Sequence, residues 1–131
     1  MTTTAADRAT QGYALARDEG EAFWLLGMLQ TVKIGKADAR GAFGLLEIVV
    51  PPGLGSPWHV HPEGHELVYV VEGEQTFEID GVGTKVVKAG EVIHTPPNVA
   101  HYGRNATEKL SKTVVIRIKD KSQPIMVETK Q

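Results

Sequence analysis

The sequence predicts an all-β protein, an antiparallel sandwich or barrel built as a single domain. Three observations lead to this prediction. Short apolar runs of strand length recur along the 131 residues, they are rich in Val, Ile, Thr and aromatic residues, and turn-forming residues separate them. No apolar period of 3.6 residues persists over a long window, which argues against a helical fold. The length suits one domain with one core.

The chain begins with a polar segment, residues 1–11, that has no apolar pattern and is expected to be flexible. The single domain is predicted over residues 12–131, and eight apolar runs within it have strand length. The runs are Phe23–Leu26, Met28–Ile34, Phe43–Val50, Leu67–Val71, Gln75–Ile79, Lys85–Val87, Val92–His94 and Thr113–Ile118. A short helix over Glu19–Met28 is the alternative for the first run, but Gly20 and Gly27 weaken it.

Turn residues join the predicted strands. Asp80-Gly81 indicates a tight hairpin between the fifth and sixth runs, because such turns need a positive φ that glycine adopts without strain. After Ile118 the chain becomes charged, and Ile125–Val127 then offers a last short strand or a docking tail.

Composition narrows the class of protein. The formal charge is −2 and no basic stripe is present, which argues against a nucleic-acid partner. No apolar run is long enough to span a bilayer, and the polar start lacks the apolar stretch of a signal peptide, so a cytoplasmic protein is expected. Cysteine is absent, so a metal would be held by imidazole and carboxylate groups.

Five histidines fall between positions 59 and 101, and their spacing suggests a metal site. His59 and His61 alternate along the chain, so on a strand both imidazoles lie on one face. Glu66 and His101 would complete a shell of three nitrogens and one oxygen. On an octahedral ion four protein ligands leave two positions open, whereas on tetrahedral zinc they leave none. The alternative is that these histidines only satisfy hydrogen bonds in the core.

Two motifs contain these residues. Residues Gly53–Gly73 fit the pattern G-x5-H-x-H-x4-E-x6-G at every fixed position, and Gly90–Asn105 fit G-x5-P-x-G-x2-H-x3-N except that Asn98 replaces the middle glycine. Asparagine is the residue that next best tolerates the left-handed backbone of a tight turn, so this departure is mild. The two stretches resemble motif 1 and motif 2 of the cupin superfamily.

The resemblance implies a small jelly-roll barrel, the double-stranded β-helix, with one divalent transition metal inside. The ligands it implies are His59, His61, Glu66 and His101. The ion could be iron, manganese, nickel, cobalt, copper or zinc. The resemblance also implies a homodimer formed through sheet edges, with Trp58, Tyr69 and the leading strands as the apolar face of the contact.

The stretch from Trp24 to Gly53, leading into Trp58-His-Val-His, is similar to the single-domain quercetin-dioxygenase-like cupins of bacteria. This similarity implies an enzyme that adds dioxygen to a small chelating aromatic or enol substrate. Glu66 would then be both a ligand and the base that accepts the substrate's hydroxyl proton. Two alternatives stay open: a polyketide cyclase or isomerase that uses the metal as a Lewis acid, and a cupin that binds a small molecule without turnover.

Alternation assigns roles to the neighbouring residues. His65 adjoins Glu66 and is expected to face away, at the surface or between subunits. His94 is expected to be packed and hydrogen-bonded, with a place beside the cavity as the alternative. By the same parity Trp58 and Tyr102 should point out of the pocket.

Other side chains are candidates for the cavity wall. Val68 and Val70 share the parity of Glu66 and should line the cavity beside the metal. The further candidates, each of which would otherwise be simple core, are Phe23, Trp24, Met28, Phe43 and Leu45. Arg104 and Arg117 could clamp an anionic substrate, although solvated surface positions are expected for both.

Overall fold

The computed structural model of the chain describes residues 5–62, 64–119 and 127–129. Within these residues one short helix, α1 (Ala5–Gln11), precedes eleven strands that pair in two antiparallel sheets. No helix in this part of the chain has the length and apolar character needed to cross a membrane.

The first sheet has six strands. In spatial order they are β1 (Glu21–Leu25), β2 (Met28–Ile34), β3 (Gly44–Val50), β10 (Ser111–Lys119), β5 (Gly64–Glu72) and β8 (Val92–Thr95). The second sheet has five strands. In spatial order they are β11 (Val127–Glu128), β4 (His59–Val60), β9 (His101–Arg104), β6 (Glu74–Ile79) and β7 (Gly83–Lys88).

The core lies between the two sheets. Val68 and Val70 of β5 and Val115 of β10 are buried from the first sheet, and they share one apolar cluster with Phe77 and Ile79 of β6 in the second. Along β5 the side chains alternate between buried and exposed, as period-2 patterning requires when one face of a sheet packs on a core. Two facing antiparallel sheets confirm the predicted jelly-roll barrel.

Each of the eight predicted runs coincides with a strand, and the first run forms β1 rather than the alternative helix. Three strands lie outside those runs. One is β11, and the other two, β4 and β9, contain His59 and His101. The strands β4 and β9 pair with each other, and β9 also pairs with β6. β4 has only two residues and β9, His-Tyr-Gly-Arg, contains no aliphatic residue, so neither can be recognised in isolation, and their pairing partners are far along the chain.

Both ends of the chain contain a short element of secondary structure. Residues 1–11 were expected to be flexible, and within them Ala5–Gln11 forms α1, while residues 1–4 lie outside the described part. Arg8 of this helix stands over the Tyr13 ring and lies 3.6 Å from Asp38, so tertiary contacts accompany the helix. At the other end Val127–Glu128 pairs with β4 as a last short strand. Ile125 and Met126 of that predicted segment are outside the described residues.

Two turn predictions are confirmed. The β6–β7 hairpin turns at Asp80-Gly81, where Gly81 has φ 80° and the amide of Val82 donates to the carbonyl of Ile79. Asn98 has φ 63°, the left-handed conformation expected at the position where the second motif has glycine.

Candidate metal centre

Three imidazoles and one carboxylate meet between the two sheets. His59 of β4 and His101 of β9 are register partners with ring centroids 4.4 Å apart, and His61, two residues past His59, lies 4.9 Å from it. Glu66 enters from β5 in the opposite sheet. All four side chains are buried, and one potential ligand atom from each lies within 4.8 Å of the others. The structure thus brings together all four residues that the motifs indicated.

Backbone carbonyls fix the orientation of two of the imidazoles. Nδ1 of His59 lies 2.6 Å from the carbonyl oxygen of Pro57, and Nδ1 of His101 lies 2.9 Å from that of Val99. Because a carbonyl oxygen can only accept, Nδ1 bears the hydrogen in both rings. When the ring carries no second proton, its Nε2 lone pair then faces the interior of the cluster. This arrangement is the usual support of a metal-ligating histidine.

Glu66 lies at the centre of the cluster. Its Oε1 is 3.1 Å from Nε2 of His101, its Oε2 is 3.0 Å from Nε2 of His61, and Nε of Arg117 donates to Oε2 at 3.0 Å. Burial by itself raises the pKa of Glu66. Hydrogen bonds with His101 and His61, together with the charge of Arg117, outweigh burial and hold that pKa well below its usual range. Glu66 is therefore a carboxylate at neutral pH.

Burial lowers the pKa of His59 to about 4, although its hydrogen bond to Pro57 raises it. At neutral pH this imidazole is uncharged and can donate its Nε2 lone pair. Desolvation disfavours the imidazolium in a closed apolar setting.

The cluster fits a metal ion. With Nδ1 of His101 committed to Val99, its Nε2 is an acceptor that stands 3.1 Å from a carboxylate oxygen, and two acceptors at this distance need a cation between them. A proton can fill that role, and so can a transition metal with bonds of about 2.0–2.2 Å to nitrogen and oxygen. These residues can therefore hold one divalent ion.

A mostly apolar cavity of about 150 Å³ borders the cluster. His59 and Glu66 line it, together with apolar residues such as Met28, Val68 and Phe77. A second pocket of about 330 Å³ lies next to it, and the two share Leu25, Gln30 and Arg117 in their walls. The barrel thus offers space for a small molecule beside the four-residue cluster.

The predicted wall residues fall into three groups. Met28 and Val68 line the cavity beside the cluster, and Phe23 and Phe43 line the neighbouring pocket. The prediction for Val70 is wrong, because Val70 is fully buried in the core. The two other candidates lie outside the cavity: Trp24 is 70% exposed on the edge strand β1, and Leu45 lines an outer depression beside α1.

The two remaining histidines lie outside the barrel. His65 is exposed, as predicted from its parity with Glu66. His94 was expected to be packed and hydrogen-bonded. Its hydrogen bond is present, with Nε2 2.9 Å from Nδ1 of His65, but the side chain is exposed, so the prediction of a packed position is wrong. In β8 the buried residues are Ile93 and Thr95, which places His94 on the opposite face. Trp58 and Tyr102, expected to point away from the pocket, contact each other edge to face at 5.8 Å.

Arg117 was expected at the surface, and that prediction is wrong, whereas Arg104 is exposed as predicted. Arg117 points inward because Thr113 and Val115, four and two residues earlier on β10, are buried on the same face. Sequence reasoning also missed Gln30 and Gln75, polar residues that are buried in the cavity wall. The alternation of inward and outward residues along β10 could have shown that Arg117 points inward, and the same alternation along β6 could have shown it for Gln75.

Comparison with protein families and curated proteins gives one clear match. A family model described as the cupin domain matches residues 46–117, more than half of the chain. Two Arabidopsis thaliana proteins, Germin-like protein subfamily 2 member 2 and member 4, are 37% identical over 65 residues and 32% identical over 77 residues. These matches cover 47% and 54% of this chain but only 30% and 34% of the relatives. The chain therefore spans about a third of the length of these curated relatives.

Solved structures resemble the whole barrel. The polyketide cyclase RemF from Streptomyces resistomycificus superposes with a TM-score of 0.77 at 22% identity, covering 91% of this chain and 86% of that chain. A recombinant oxalate oxidase in complex with glycolate gives 0.66 at 24% identity, covering 79% and 55%. A predicted oxalate decarboxylase from Thermotoga maritima gives 0.67 at 21% identity, covering 71% and 81%. At such identities the likeness shows a shared fold.

Proposed function

This chain belongs to the cupin domain family, and on that premise we propose that it is a metal-dependent enzyme that adds dioxygen to an aromatic or enolic small molecule. The observation that carries the proposal is the contact between the buried four-residue cluster and the cavity. His59 and Glu66 belong to both, so an ion held by the cluster borders the space in which a small molecule fits. A structural metal site is instead closed on all sides by protein.

The proposed ligands are His59, His61, Glu66 and His101. A bound divalent transition metal would supply Lewis acidity there and, if redox-active, a partner for dioxygen. The protein's own contribution is orientation, because Nδ1 of both His59 and His101 is held by a backbone carbonyl. The apolar wall of the cavity excludes water from the reacting groups.

Glu66 is proposed as the base as well as a ligand. Its depressed pKa leaves it deprotonated at neutral pH, which is the state that can accept a proton from a substrate hydroxyl. Its hydrogen bond to Arg117 holds Oε2 in place, so the carboxylate keeps one orientation while Oε1 stays beside His101.

A second candidate is Lewis-acid cyclisation or isomerisation of an enolic substrate without oxygen. The observation that favours it is the near end-to-end match with the polyketide cyclase RemF, which has 86% of its chain covered. The same cluster and cavity would serve this chemistry, because a metal-polarised carbonyl needs the ion and an apolar enclosure but no oxidant.

Oxygen dependence separates the two candidates. Protein purified without added metal is analysed for its elements, and oxygen uptake and product formation are then followed on flavonols and 1,3-diketones, with and without air. His101→Ala removes one proposed ligand, and His94→Ala is the matched control because that histidine is exposed on the outer face. The oxygenase is supported if turnover requires air, is lost in His101→Ala and is kept in His94→Ala. Equal turnover without air overturns the oxygenase in favour of the cyclase, and substrate binding without turnover overturns both.

A further inference from the structure

The guanidinium of Arg117 makes a side-chain hydrogen bond through Nε, and its two Nη groups have no such partner among the described residues. Its Nε donates to Oε2 of Glu66 at 3.0 Å, and the side chain is only 20% exposed. A guanidinium presents five donors in a fixed fork, so the Nη donors can bind a further acceptor while Nε stays on Glu66.

Arg117 lies where the two pockets meet. Arg117 lines both the cavity beside the four-residue cluster and the neighbouring pocket of about 330 Å³. On β10 it stands directly between Glu66 of β5 and Gly44 of β3, its register partners on either side. The glycine has no side chain to fill the space, and a Cβ added there would meet only the carbonyl of Ile34, at 3.5 Å. The neighbouring pocket is therefore open beside the guanidinium.

The neighbouring pocket has an apolar body and two basic residues in its lining. Its apolar wall includes Phe23, Phe43 and Leu46, and its charged lining residues are Arg117 and the exposed Lys36, with no carboxylate among them. An apolar pocket with a few convergent polar groups is the usual form of a small-molecule site, and the sign of those groups selects the ligand's charge.

We propose that this neighbouring pocket binds the apolar body of an organic anion and that the Nη groups of Arg117 bind its charged oxygens. The ligand class is an aromatic or branched aliphatic molecule that carries a carboxylate, sulfonate, phenolate or enolate. That this ligand is the substrate rests on the proposed function. Arg117 then links substrate and cluster, since the same guanidinium contacts Glu66.

Two matched fluorescent probes test the ligand class. 8-Anilino-1-naphthalenesulfonate is anionic, and N-phenyl-1-naphthylamine is its uncharged analogue. Each is titrated into the chelator-treated full-length protein, so that binding is measured independently of metal and turnover. The wild type is expected to bind the sulfonate about tenfold more tightly than the amine, as one charge-assisted interaction predicts.

Substitutions then separate charge from shape. Arg117→Met should remove the preference for the sulfonate and leave the affinity for the amine within about twofold, while Arg117→Lys should keep part of the preference. Lys36→Met is the matched control for charge and should lower sulfonate affinity by no more than about threefold, because Lys36 is exposed. Gly44→Leu fills the pocket without touching Glu66 and should weaken both probes.

Near-UV circular dichroism of each variant confirms its fold, and the ratio of the two affinities is compared only among folded variants. The proposal is overturned if the ratio of the two probe affinities in Arg117→Met equals that of the wild type. It is also overturned if Arg117→Lys keeps the wild-type ratio and Gly44→Leu binds both probes as tightly as the wild type does. Metal content and turnover are measured on the same samples. If the protein prefers the sulfonate but shows no turnover, this proposal stands and the proposed function is wrong. If turnover is found but the ratio of probe affinities is unchanged in Arg117→Met, the proposed function stands and this proposal is wrong.

Discussion

The chain contains two groups of histidines that differ in everything but residue type. The inner group, His59, His61 and His101, is buried around Glu66, whereas the outer pair, His65 and His94, is exposed and shares one hydrogen bond. His65 and Glu66 are adjacent in sequence and lie on opposite faces of β5. The face of the strand and the backbone partner of each ring therefore decide its chemistry.

Backbone contacts sharpen the difference. Two inner rings each have Nδ1 at a carbonyl oxygen, so their tautomer and direction are set before any ligand arrives. The outer rings contact each other through Nδ1 of His65 and Nε2 of His94, so one donates to the other. Within residues 5–62, 64–119 and 127–129 neither ring has a carboxylate partner. Preorganised donors around a buried acid favour a metal ion, and a solvated pair does not.

The largest expected effect is on metal retention. His101→Ala should lower metal affinity by more than about 100-fold, because it removes a proposed ligand and opens the cluster, whereas His94→Ala should retain the metal of the wild type. Elemental analysis after dialysis, with competition against a chelator, measures both. Equal metal content in the two variants would show that the inner group is not the site.

A smaller effect is expected on the pH dependence of stability. The pKa of His59 is about 4 in the folded chain, so between pH 6.5 and 4 the unfolded chain takes up a proton that the folded chain does not. Stability of the metal-free protein should therefore fall as the pH is lowered through this window, by about 2–3 kcal/mol. The pKa of Glu66 is also depressed, so its contribution is present above the pKa of the unfolded chain and is lost at still lower pH.

Urea unfolding of chelator-treated protein from pH 7 to pH 4.5 measures this dependence. The His94→Ala variant is the control, and its pH profile should follow that of the wild type because the outer histidines are exposed. A free energy of unfolding that stays constant from pH 6.5 to pH 5 would contradict the burial of a neutral His59.

The smallest effect is expected at the outer pair. His65→Ala removes one solvent-exposed hydrogen bond, and we expect the free energy of unfolding to change by no more than about 0.5 kcal/mol, with metal content unchanged. Chemical denaturation and elemental analysis are sufficient to check this. A loss above about 1.5 kcal/mol would mean that the outer pair supports the sheet in a way that its exposure does not suggest.

Much of the site could be predicted because alternation is local. His-x-His puts two imidazoles on one face, and the same rule separates His65 from Glu66. Asn98 could be recognised as a left-handed turn residue from its backbone tolerance alone, and its φ of 63° agrees. The eight longer strands were recognisable because each has enough residues to show apolar or β-branched enrichment.

The fold class, the opposite faces of His65 and Glu66, and the four residues of the cluster follow from the sequence, because they depend on patterns within short stretches and on two motifs. The contact of Arg117 with Glu66 and that of His94 with His65 depend instead on the tertiary structure. Both contacts cross between strands, 51 and 29 residues apart in sequence. Register between distant strands is set when both sheets bury their apolar faces together, and no local pattern specifies that alignment.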